Sequence, residues 1–126
     1  MAVKTTLDTL YLINDSNRIV SIEILVGDQG QTSALSMSLD NKTLISNHIG
    51  NLPKTGIDEN QLLQGKKLKI QATVTDTSKE TNVTSLNIKI SGGFLTRNYP
   101  LYKMVDSEGD SADYYCNIEF FNPSIF

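Results

Sequence analysis

Strict period-two alternation runs through much of this chain and leaves few options besides sheet. Leu68, Ile70, Ala72 and Val74 alternate with Lys67, Lys69, Gln71, Thr73 and Thr75. An extended backbone sends those two sets to opposite faces. Leu86, Ile88 and Ile90 alternate in the same way with Ser85, Asn87, Lys89 and Ser91. The stretch between, residues 76–82, is polar throughout and too long for a two-residue turn. The two strands therefore read as a hairpin with a long tip.

An earlier pair reads similarly. Val20, Ile22, Ile24 and Val26 share one face, Gly27 and Gly30 punctuate, and Leu35, Met37 and Leu39 then alternate with Ser36 and Ser38. Leu7 to Ile13 reads as a strand before them, closed by Asn14-Asp15-Ser16-Asn17, whose side chains favour turns. Residues 43–49 make a further short strand. From 50 to 65 the alternation breaks around Gly50, Pro53, Gly56 and Gly65. Within that stretch, residues 58–64 are expected to form at most one short helix, with Asp58 as N-cap and Gly65 just past its end. So short a helix needs contacts through Leu62 and Leu63 to persist. After Gly92-Gly93, strands are expected near Phe94, over Leu101–Val105 and over Tyr114–Phe121.

Seven to nine short strands, with a turn signal about every ten residues and no helix of crossover length, favour two packed antiparallel sheets over an α/β fold. The expectation is one all-β domain over residues 1–126, an antiparallel β-sandwich with jelly-roll or immunoglobulin-like connections. At 126 residues with 39% hydrophobic content, a core is affordable.

Charge narrows the function classes. Eleven Lys and Arg against fourteen Asp and Glu leave a net charge of -3, which disfavours nucleic acid as a partner because phosphate contacts need clustered cations. No apolar run approaches the ~18 residues that span a bilayer as a helix. One cysteine excludes an intrachain disulfide, and the first residues lack the apolar core of a signal peptide. A cytoplasmic location is the expectation.

Four features are candidates for chemistry. Asp106, Glu108, Asp110 and Asp113 surround Gly109. Carboxylates at that density are hard oxygen ligands, so a Ca²⁺ site is one reading, with carbohydrate held through the ion. A solvated acidic turn is the plainer one. The second feature is the aromatic content, eight of nine residues of which fall in the last 33 positions. Alternation places Tyr114, Cys116, Ile118 and Phe120 on one face of the final strand, leaving Tyr115 and Phe121 on the other. These two, with Ile125 and Phe126 of the tail, are the candidate interface for a protein partner or a second copy. Third, Lys67, Lys69 and Lys89 would share a basic strip if their strands paired. Fourth, His48 and Cys116 are the sole histidine and cysteine. Cys116 alternates with core positions, which suits a small buried hydrophobe better than a nucleophile. No nucleophile elbow, phosphate loop, dinucleotide fingerprint or zinc set occurs.

The function expected from these readings is a non-enzymatic interaction or structural module acting through protein–protein contact, with a protein partner or by self-association into a homo-oligomer, without a cofactor. A Ca²⁺-assisted carbohydrate- or surface-binding domain centred on 106–113 is the alternative.

Overall fold

Among the described residues the chain forms nine strands. A computed structural model of the chain describes residues 3–27, 31–76, 83–106 and 109–123. In order they are β1 (Val3–Leu12), β2 (Ile19–Val26), β3 (Gln31–Leu39), β4 (Lys42–Ile49), β5 (Leu52–Glu59), β6 (Lys67–Asp76), β7 (Val83–Ser91), β8 (Arg97–Met104) and β9 (Ser111–Phe121). They form a five-stranded sheet ordered β1-β9-β6-β3-β4 and a four-stranded sheet ordered β5-β2-β7-β8. The architecture is the expected all-β sandwich. One pair departs from the antiparallel rule, because β1 runs parallel to β9 from Val3↔Ala112 to Leu12↔Phe121.

The expected hairpin between the strands over 67–76 and 83–91 does not form. β6 lies in the five-stranded sheet between β3 and β9, whereas β7 lies in the other between β2 and β8. The same correction applies to β2 and β3, which also sit in opposite sheets. Among the described strands, chain neighbours pair directly only as β3–β4 and β7–β8. Every other connection crosses from one sheet to the other. Alternation fixes which face of a strand is buried, but both inner faces are apolar, so it carries no information about which sheet a strand joins.

The inner faces are those that the alternation marks, most clearly in β2, β6, β7 and β9. Val20, Ile22, Ile24, Leu68, Val74, Leu86, Ile88, Ile90, Tyr114, Ile118 and Phe120 are all sealed from solvent. Tyr11 meets Phe120 edge to face, with ring centroids 6.2 Å apart. A buried hydrogen bond links the two sheets within the core. Thr84 Oγ1 of β7 donates to the Lys103 carbonyl (2.7 Å), which leaves it to accept from the Tyr114 hydroxyl of β9 at 2.6 Å. A buried Tyr needs such a partner for its O–H.

Three local expectations change. Residues 52–59, read as irregular, are strand β5. The short helix reduces to a single 3₁₀ turn, Asn60–Leu62. Glu59 precedes it with no side-chain cap, and Asp58 instead accepts a hydrogen bond from the Glu59 N–H at 2.8 Å. Leu63 is buried and Leu62 is exposed, so one leucine anchors the turn. Residues 92–95 form a bend rather than a strand near Phe94.

Candidate functional site

The acidic segment bridges β8 and β9. Asp106 follows β8 and is exposed, Asp110 precedes β9, and Asp113 stands on the outer face of β9. There Asp113 Oδ1 accepts a hydrogen bond from Thr73 of β6 at 2.8 Å. Glu108 lies outside the described residues. Among the described residues no group of three or more His, Cys, Asp or Glu is close enough to hold a metal ion.

The final strand divides as its alternation predicts. Tyr114, Cys116, Ile118 and Phe120 point inward, and Tyr115 and Phe121 are half-buried on the outer face. Since β9 lies between β1 and β6, both outer aromatics sit one strand in from the edge formed by β1. Lys4 of β1 places its Nζ 4.7 Å from the Tyr115 ring centroid in a cation–π contact. Phe121 pairs in register with Leu12 of β1. Ile125 and Phe126 lie outside the described residues.

That edge is longer and more regular than the others. β5 carries Pro53 and two register shifts, β8 carries Pro100, and β4 meets β3 with two register shifts and holds Asn47 at a φ of 51°. Prolines and bulges are the usual devices that stop an edge strand from recruiting another chain. β1 has ten residues in unbroken register with β9, no proline, and no further strand beside it among the described residues.

An apolar patch that sequence reasoning missed lies where this edge meets β8. Leu10, Phe94 and Leu95 are 52%, 59% and 56% exposed, and they line one shallow hollow with Leu12. The Phe94 N–H donates to the Leu12 carbonyl at 2.9 Å, so the bend after β7 closes the far end of β1. Neither alternation nor spacing signals this cluster, because its members come from an edge strand and a bend joined only by the tertiary fold.

The expected basic strip does not exist. Lys67 and Lys69 project from the five-stranded sheet and Lys89 from the other, so they face opposite sides of the sandwich. Lys67 stands 4.0 Å from Glu119 in an exposed pair, a contact of little energetic weight.

His48 and Cys116 do not meet. β3 and β6 lie between their strands, and the His48 Nε2 donates to the Asn51 carbonyl at 2.8 Å. Burial, with a smaller contribution from the Asp8 carboxylate, pushes the Cys116 thiol up from 9.0 to about 12. A thiol held protonated is a poor nucleophile. Burial likewise raises Tyr11, Tyr99 and Tyr114 above the ordinary 10.0.

These shifts set an alkaline limit. In the unfolded chain such groups lose their protons first, so the native state binds more protons and stability falls as pH rises. The thiol contribution is complete below pH 9 and is lost between 9 and about 12. Urea midpoints are expected to be level from pH 7 to 8.5 and to fall above 9. Cys116→Ala should lessen that fall while lowering the neutral-pH midpoint. A flat profile to pH 11 would contradict the burial of these groups.

No known protein family, no curated protein sequence and no solved structure matches the chain. No helix among the described residues is long and apolar enough to cross a membrane.

Proposed function

We propose that the protein is a non-enzymatic interaction module whose contact surface is the β1 edge together with Tyr115 and Phe121, and whose partner is a second copy of the chain. The observation that carries this reading is the ten-residue edge strand, which has neither a proline nor a register shift. An antiparallel two-fold pairing of β1 about Thr6 sets Lys4 opposite Asp8 of the second copy, and Asp8 opposite its Lys4. Lys4, Thr6 and Asp8 share the exposed outer face, so both charge pairs fall on one side of the joined sheets. Such an interface is self-complementary, as a closed dimer requires. It would merge two five-stranded sheets into one of ten strands and place the Tyr115 rings on either side of the seam.

Charge reversal tests the register. Lys4→Glu and Asp8→Lys, each made alone, set like charges face to face and should weaken self-association about three- to tenfold. The double variant Lys4→Glu/Asp8→Lys restores opposite pairs and should recover most of the loss in sedimentation equilibrium. Single and double variants that weaken association equally would remove the register. A wild type that stays monomeric up to millimolar concentration would remove the second copy as partner.

A further inference from the structure

The four-stranded sheet carries an unassigned polar hollow on its outer face, on the other side of the sandwich from the five-stranded sheet that bears the proposed contact. It holds about 330 Å³, within the range of small-ligand sites. Three cations from three separate segments border it: Arg18 from the approach to β2, Lys54 from β5 and Lys89 from β7. Glu23, the register partner of Lys89, supplies the one carboxylate. Ser21 and Ser91, also register partners, border it as well, Ser21 as a buried residue. Gly56 pairs with Ser21 on the β5 side, and the Ile19 side chain packs where a Cβ at Gly56 would stand.

This grouping is unusual for the chain. The protein has a net charge of -3, yet the hollow gathers three cations against one carboxylate. Among the described residues, the ion pair within 4.0 Å is Lys67 with Glu119, so none of the three cations is neutralised by a neighbouring carboxylate at that distance. Cations bordering one hollow repel one another, and a bound anion relieves that repulsion.

We infer that the hollow binds a tetrahedral oxyanion, phosphate or sulfate, either free or as a monoester. Three cations from three segments, Arg18 before β2, Lys54 on β5 and Lys89 on β7, offer more donors than the two oxygens of a carboxylate can use. They match the three or four oxygens of a tetrahedral anion. Glu23 opposes the anion and holds its affinity down. This site is independent of the β1 edge, and neither proposal rests on the other.

Titration with sodium phosphate at pH 7, in sodium chloride of matched ionic strength, tests the site by amide NMR shifts. A saturable response is expected at the amides around Ser21 and Ser91, weakened about two- to fivefold by Lys54→Gln or Lys89→Gln and tightened by a similar factor in Glu23→Gln. The sign of the Glu23 effect is decisive, since a merely destabilised fold would weaken binding. Parallel titrations with sulfate and with glycerol phosphate identify the source. Tighter binding of the monoester than of inorganic phosphate means that the group arrives on a larger molecule, and the opposite preference assigns the free ion. Shifts that fail to saturate, that chloride reproduces, or that persist unchanged in Lys54→Gln/Lys89→Gln would overturn the proposal.

Discussion

Replacing Asn60 by Ala is expected to lower the unfolding free energy by about 3–5 kcal/mol, and by Asp to lower it further. Asn60 has no solvent exposure. Its Nδ2 donates to the Arg18 carbonyl at 2.8 Å and to the Gly92 carbonyl at 2.9 Å, while Oδ1 accepts from the Asn14 N–H at 3.2 Å. One side chain thereby ties the β1–β2 connection, the start of β2 and the bend after β7. Alanine leaves an N–H and a carbonyl without their partner, each at a cost of about 1–3 kcal/mol, and opens a small cavity. The Arg18 carbonyl keeps the Asn60 backbone N–H at 2.9 Å. Aspartate is worse, because it aims oxygen at two carbonyls that need donors and brings a charge that burial cannot solvate. Against a typical total of about 5–15 kcal/mol the Asp variant is close to the folding threshold. Urea denaturation measures the difference. A loss below about 1 kcal/mol for Asn60→Ala would mean that the three bonds do not organise this end of the sandwich.

The second large effect is expected at Gly92. Its φ is +95°, a conformation costly for any residue with a Cβ, and a Cβ there would press into the carbonyl oxygen of Ile19 and lie 3.1 Å from its carbonyl carbon. Both obstacles are backbone, so relief requires β2 and β7 to part next to the Ser21↔Ser91 pair. Gly92→Ala should cost about 3 kcal/mol or more. Gly50 and Gly109 provide the control, because their φ values are +81° and +92° but nothing stands within 4 Å of an added Cβ. Alanine at either should cost only about 1–2 kcal/mol, the conformational part alone. Equal melting-temperature losses at all three positions would show that crowding at Gly92 is relieved elsewhere. Gly92 also accepts a hydrogen bond from Asn60, so the two variants should combine with less than additive loss.

Such residues show where a sequence of this kind stops being readable. The buried faces of β2, β6, β7 and β9 follow from alternation, because the pleat that sorts their side chains is local. The sheet that each strand joins does not, since Leu68 and Leu86 carry the same local signal and end in different sheets. β5 escapes the pattern because an edge strand with Pro53 and Gly56 buries too little for alternation to be needed. Asn60 looks like a polar residue in a polar turn, and its burial depends on carbonyls 42 and 32 positions away. The surface is harder still. Tyr115 and Phe121 can be placed outside the core from their positions in β9, but Leu10 with Phe94, or Lys54 with Lys89, come together only through strand order.

The β1 edge is tested most directly by a single cysteine at its centre. Two-fold pairing about Thr6 brings the two Thr6 Cα atoms to about 4.5–5.5 Å, within disulfide reach. The native Cys116 is buried with its thiol shifted to about 12, so it does not compete. Thr6→Cys under mild oxidation should give a covalent dimer in high yield, and Asn98→Cys on the β8 edge should give far less. A Thr6→Cys protein that remains monomeric on non-reducing gels, or crosslinks no better than the β8 variant, would contradict pairing along β1.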